Sequence, residues 1–166
     1  ICYRALMAAE AAISDFDKAI SLDKLYRDAY NNRGNRYQAL GQYERSILDY
    51  DKAINLKESA LTYRNRAYSY YRLGEYASAI SDYDKAIQLE PEIMYAYRMK
   101  GLSHAGLDQH QLALQSTSKA IEIDPSDAIS WVYRGNTYHN LKQYDLAISD
   151  FDVAISLDPE YALAYY

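Results

Sequence analysis

Three histidines and one cysteine are the side chains of this sequence best suited to metal, nucleophilic or proton-transfer chemistry. Their spacing assembles no centre. His104 and His110 are six residues apart, about 240° around an α-helix, which makes them poor partners for one metal ion. His139 stands alone, and Cys2 has no second cysteine with which to form an internal disulfide. A lone cysteine fits a reducing compartment, and a cytoplasmic location is the expectation. The patterns H-E-x-x-H, G-x-x-x-x-G-K-S/T and G-x-S-x-G do not occur. The 23 acidic residues recur at regular intervals, which points to solvated helix faces and structural ion pairs rather than an acid–base dyad. The expectation is a non-enzyme, without a catalytic, cofactor or metal site in this chain.

What remains is the chemistry of amides, guanidinium groups and aromatic rings, which needs a scaffold to position it. Hydrophobic residues make up 49% of the 166, enough for a continuous core. Three prolines and six glycines argue against a loop-rich all-β fold. The net charge of -5 sets nucleic-acid binding at a disadvantage. No apolar run approaches the ~20 residues that cross a bilayer. The expected partners therefore include neither nucleic acid nor membrane. Twenty tyrosines are unusual, and they need a repeated packing role or a sticky surface.

The repeat supplies that role. Leu6, Leu40, Leu73, Leu107 and Leu141 recur at intervals of 34, 33, 34 and 34 residues, and Ala19, Ala53, Ala86, Ala120 and Ala154 keep the same steps. Each unit reads as two helices. Ala79, Ile80, Tyr83, Ala86 and Ile87 fall on one helical face, and Ala67, Tyr70 and Leu73 on another stripe. Gly41 and Gly74 sit between the helices of a unit, while Pro91, Pro125 and Pro159 follow a second helix. The period predicts first helices over 27–40, 60–73, 94–107 and 128–141. Second helices are expected at 10–23, 44–57, 77–90, 111–124 and 145–158.

Small side chains share one column on the first helix (Gly34, Ala67, Gly101, Gly135) and one on the second (Ala12, Ser46, Ala79, Ala113, Ala147). They let helices approach to the short end of the ~8–10 Å range, with tyrosine columns filling the wedge beyond. Tyr37, Tyr50, Tyr70, Tyr83 and Tyr138 are therefore read as core. A second pattern couples the helices of a unit. Arg33, Arg66 and Arg134 share a column, as do Asp49, Asp82 and Asp150, and both letters change together at Lys100 and Ser116. An ion pair between the two helices is expected. The same unit carries His104, His110 and Thr117 where others carry aromatics, so it should be the least stable.

Trp131, Gly135, Tyr138, Tyr144, Ala147, Phe151, Ala154 and Pro159 reproduce the signature of the tetratricopeptide repeat family, as do Tyr30, Gly34, Tyr37, Tyr43, Tyr50 and Ala53. The chain resembles that family along its whole length. The resemblance implies an all-α, right-handed superhelical solenoid of antiparallel helix pairs, forming one array over 1–166. Its expected parts are a partial unit at 1–26, units at 27–59, 60–93, 94–127 (degenerate) and 128–161, and the start of a further helix at 162–166. Neither end shows a polar capping helix. A fragment of a longer array, or end-to-end packing with another copy, is the expectation.

In this family the first helices line a groove in which ligands lie, often extended. Carried over, that wall comprises Asp28, Asn31, Asn32, Asn35 and Gln38, then Arg64, Asn65, Tyr68, Tyr71 and Arg72. Tyr95, Arg98, Met99 and Leu102 follow, then Ile129, Val132, Tyr133, Asn136, His139 and Asn140. Asn side chains can donate to and accept from any peptide backbone. Arg64 and Arg98, one unit apart in one column, suit a peptide with acidic residues. The two-carboxylate clamp of chaperone-tail binders would place cations at Asn31, Tyr95 and Met99. All three are missing, so chaperone-tail binding is not expected. The resemblance implies a protein-interaction scaffold that holds a partner protein or extended peptide. Its alternatives are the substrate-recruiting or regulatory arm of a larger enzyme and, against the charge balance, an RNA-binding helical repeat.

Overall fold

The computed structural model describes the backbone of residues 3–162 and the side chains of residues 7–160. Every regular element among them is an α-helix: α1 (Tyr3–Leu22), α2 (Arg27–Ala39), α3 (Tyr43–Leu56), α4 (Ala60–Arg72), α5 (Tyr76–Leu89), α6 (Met94–Gly106), α7 (His110–Ile123), α8 (Ala128–Asn140), α9 (Tyr144–Leu157) and α10 (Pro159–Ala162). Eight of the nine expected helices lie within a residue of the periodic reading. The start expected at 162–166 falls largely outside the described residues, as does the terminal face on which end-to-end packing would depend.

The chain forms two compact units, Ile1–Leu89 and Glu90–Tyr166. In the first, α2 packs on α3 and α4 on α5, with α3 against α4 and α1 against α2. In the second, the hairpins are α6–α7 and α8–α9, α7 packs on α8, and α10 lies against α9. This is the all-α helical-repeat architecture anticipated from the period.

The turns within hairpins have one cause. Gly41, Gly74, Asp108 and Lys142 occupy the same column, and all four have positive φ, at 74°, 80°, 56° and 59°. The Gln42 amide donates to the Tyr37 carbonyl at 2.9 Å and the Gly41 amide to that of Gln38 at 3.0 Å, which is the left-handed cap that ends a helix and reverses the chain. Met7 holds this column in α1. There the chain makes no turn and stays helical from Tyr3 to Leu22. That corrects the expected second-helix start near residue 10.

The small columns work as anticipated. A Cβ on Gly34 would come within 2.8 Å of the Tyr50 ring, and one on Gly135 within 2.6 Å of Phe151. In the first unit Tyr50 and Tyr83 are fully buried together with Ala53, Ala67, Ala79 and Ala86, and in the second unit Ala113, Ala120 and Ala154 are at 0% exposure. The joint between α3 and α4 spans three residues where the corresponding joints span four. Lys57 and Ser59 cross it in extended conformation, and the Tyr63 hydroxyl holds Glu58 at 2.7 Å. Burial, then that bond, push the Tyr63 hydroxyl up to about 12.

Candidate functional site

In the first unit the expected wall rises on α2 and α4, and an amide network joins them. Asn35 Oδ1 accepts the Tyr50 hydroxyl at 2.8 Å and Asn65 Nδ2 at 3.0 Å. Gln38 Nε2 donates to the Asn65 carbonyl at 2.7 Å and to Ser69 Oγ at 2.9 Å. With its oxygen doubly engaged, the Asn35 carboxamide has one orientation, its Nδ2 turned from both partners. Arg64 Nη2 reaches Asn65 Oδ1 at 3.4 Å. Asn32 is exposed.

The aromatic end of α4 is organised by Arg72. Its Nη1 donates to the Tyr68 hydroxyl at 2.8 Å, and its guanidinium lies 4.9 Å from the Tyr43 ring centre and 5.7 Å from that of Tyr68. The bond to Tyr68 raises the pKa of this exposed arginine further. Tyr71 packs at a tilt against Tyr76, 5.7 Å between ring centres. The result is a cation set among tyrosine faces beside an amide ladder.

In the second unit the corresponding helices are α6 and α8. Tyr95 and Tyr133 are half-buried, while Asn136 and His139 are exposed. His139 meets Tyr144 edge to face at 5.5 Å. Arg98 is not open to a ligand: its Nη1 donates to both Asp127 oxygens, at 2.7 and 2.8 Å. Asp127 in turn caps α8 by accepting the Ser130 amide at 3.0 Å. Three further residues leave the expected wall for the core, one of them Val132 at 1% exposure. Asn31 is 8% exposed and Met99 6%; Asn31 accepts the Thr62 hydroxyl at 3.2 Å, and Met99 gains by excluding water from its thioether.

The anticipated ion pairs are present and two-pronged. Arg33 meets Asp49 at 2.8 and 2.6 Å, Arg66 meets Asp82 at 2.7 and 2.7 Å, and Arg134 meets Asp150 at 2.8 and 2.8 Å. The sequence reading missed their other half. Arg33 Nη1 also donates to Asp17 at 2.5 Å and Arg66 Nη1 to Asp51 at 2.5 Å, on the preceding second helix. Each arginine thus ties three helices together. The signal lay in the D-x-D pairs Asp15/Asp17, Asp49/Asp51, Asp82/Asp84 and Asp150/Asp152, where Ser116 and Ser118 replace both carboxylates at once.

Electrostatics of these pairs are opposed. The Asp49 bond holds the Arg33 guanidinium well above its ordinary pKa, and the Asp150 bond raises that of Arg134. Burial works against the charge on Arg66, but the bonds to Asp82 and Asp51 outweigh it. Burial lifts Asp82 above the usual carboxylate range in spite of Arg66. A cleft of about 660 Å³ opens over Arg33, lined by Asp17, Tyr30, Tyr37, Asp49 and Asp51 among others; no wall residue lines it.

Elsewhere His104 is 7% exposed, with its Nδ1 2.7 Å from Gln109 Oε1. Among the described residues no three His, Cys, Asp or Glu side chains converge as a metal site, and no helix is long and apolar enough to cross a membrane.

Family models described as tetratricopeptide repeat match residues 60–93 and 128–161 and residues 27–59, together more than half of the chain. The matched stretches lie on either side of 94–127, the unit with the altered columns. A crystal structure of MamA is similar over 98% of this chain and 95% of that chain, at TM-score 0.89 and 23% identity. YrrB, described as a TPR protein with an unusual peptide-binding site, is similar over 98% and 85%, at 0.83 and 24%. The first TPR of Spaghetti (RPAP3), bound to the HSP90 peptide SRMEEVD, is similar over 70% and 93%, at 0.68 and 24%. At these identities the likeness establishes the fold. No curated protein matches the sequence.

Proposed function

The chain belongs to the tetratricopeptide repeat family, and from that premise we propose that this protein-interaction scaffold holds an extended peptide along α2 and α4 of its first unit. The observation that carries the reading is the fixed Asn35 carboxamide. Tyr50 and Asn65 occupy its oxygen, so its amide nitrogen is a pre-oriented donor for a peptide carbonyl. Pre-orientation lowers the ordering cost of binding. Proteins of the same fold support the reading: the RPAP3 structure carries its peptide, and YrrB is described as having an unusual peptide-binding site.

Arg64 and Arg72 give the wall its positive character and favour a peptide with at least one acidic residue beside an aromatic or aliphatic one. Arg98 does not serve in this way, because its Nη1 is already held by both oxygens of Asp127. The test is binding of an acidic peptide library to the wild type, to Asn65→Ala and to the Arg64→Glu, Arg72→Glu double variant. Charge reversal is expected to weaken binding at least about ten-fold, equivalent to about 1.4 kcal/mol. Raised salt should weaken the wild-type complex through screening. Unchanged affinity in a folded double variant would place the ligand elsewhere.

A further inference from the structure

The position that carries the second carboxylate of each arginine bridge reads Asp17, Asp51, Asp84, Ser118 and Asp152 in successive repeats. In the first unit its role is visible: Asp17 accepts Arg33 Nη1 and Asp51 accepts Arg66 Nη1, each at 2.5 Å. In the second unit Arg134 aims the same nitrogen at Ser118 Oγ, 3.2 Å away. Its other prongs are held by Asp150, and its guanidinium stacks 4.8 Å from the Trp131 ring centre. The cation therefore faces a hydroxyl where its counterparts face a second negative charge. Serine is the residue to which such a charge can be added.

We propose that Ser118 is a phosphorylation site, and that its phosphate completes the two-anion grip on Arg134. The hydroxyl oxygen attacks the terminal phosphorus of a nucleoside triphosphate held by a protein kinase. The bond from that phosphorus to the bridging oxygen breaks, the nucleoside diphosphate leaves, and the serine proton passes to the kinase's base. Arg33 and Arg66 show that a guanidinium between two anions is accommodated at this place in the repeat. The phosphate brings acceptor oxygens suited to arginine.

Access comes from the unit in which Ser118 sits. Its helix α7 carries Thr117 where Tyr50, Tyr83 and Phe151 stand in other repeats. The buried His110 Nδ1 on the same helix has no hydrogen-bond partner. Fewer ring contacts and an unsatisfied polar atom weaken the packing of α7 and favour its local opening. Phosphorylation captures the open segment and then favours the closed one through Arg134.

Two measurements on the full chain test this. The first is peptide mapping by mass spectrometry of protein purified from its cells of origin, where phosphate on Ser118 is expected. The second is amide hydrogen exchange of a chain with phosphoserine installed at 118, beside Ser118→Asp, Ser118→Ala and a phosphoserine chain carrying Arg134→Lys. Phosphoserine and Ser118→Asp should slow exchange in α7 on the order of ten-fold relative to wild type. Ser118→Ala should not, and Arg134→Lys should remove most of the gain. Absence of phosphate from the native protein, or phosphoserine that leaves α7 exchange unchanged or faster, overturns the proposal.

Discussion

Arg66→Met and Asp82→Leu, alone and together, decide what the bridging ion pairs contribute. Arg66 and Asp82 are 17% and 7% exposed and share two bonds of 2.7 Å. Removing Arg66 alone leaves Asp82 charged in a nearly dry site, at a cost of about 3–5 kcal/mol for a broken buried pair. For a chain of this size that lowers the melting midpoint by about 6–20 °C, at ~2–4 °C per kcal/mol. Asp51 also loses a bond, but it is 40% exposed, and water replaces the arginine there at little cost. The double replacement fills the same space with apolar atoms and should return to within about 1 kcal/mol of wild type, because desolvation of both charges offsets their attraction. Urea and thermal melts followed by circular dichroism close the cycle. The pH dependence has a definite sign. Burial raises Asp82 in the folded state, so its contribution to stability is complete below its unfolded pKa and is lost as pH rises through the folded value. Arg66→Met should therefore recover part of its loss between neutral pH and about pH 4, near the reference carboxylate value. A double variant less stable than Arg66→Met, or a single variant within experimental error of wild type, would refute this account of the pair.

Other perturbations probe the packing and the turns. Gly135→Ala drives a Cβ to 2.6 Å from Phe151 and should cost about 1–3 kcal/mol as overpacking, read from the urea midpoint. Lys142 holds φ 59°, so Lys142→Gly should stabilise by up to about 1 kcal/mol, while Gly41→Ala at φ 74° should lose about as much; equal midpoints for all three chains would count against the turn argument. Replacing Asp127 by Ala should cost about 1–2 kcal/mol through the lost α8 cap, and more as Arg98 is left buried without its anion; a midpoint unchanged from wild type would show the cap to be dispensable.

Much of the fold was legible because repetition multiplies weak signals. A glycine or alanine at one position says little, but Gly34, Ala67, Gly101 and Gly135 on one period define a close helix contact. The ion pair was readable because Lys100 and Ser116 changed together. The same logic would have exposed Ser118, whose change accompanies theirs. What repetition cannot show is a contact made once. Asp127 shares its column with Tyr26, Ser59 and Ile93, so no pattern announced that it would engage Arg98. Asn35 and Asn65 were placed on the wall, but their joint orientation depends on the Tyr50 hydroxyl, read only as core filling.

The arginines that span three helices make the folding of the repeats at 27–59, 60–93 and 128–161 contingent on the helix before each. Arg33 and Arg66 anchor α2 and α4 not only to their own partner helices but back to α1 and α3. In a linear assembly whose stability is a sum of intrinsic and nearest-neighbour terms, these bridges raise the neighbour term without altering either helix alone. The couplings are uneven, because the link from α7 to Arg134 ends on a neutral hydroxyl at 3.2 Å where the earlier links end on carboxylates. Within the second unit the chain behaves like a row of spins with a weakened interaction between α7 and α8. Warmed slowly, that unit should divide at that link, so that the 128–161 segment and the α6–α7 hairpin lose structure in separate steps, while α2 to α5 of the first unit yield together.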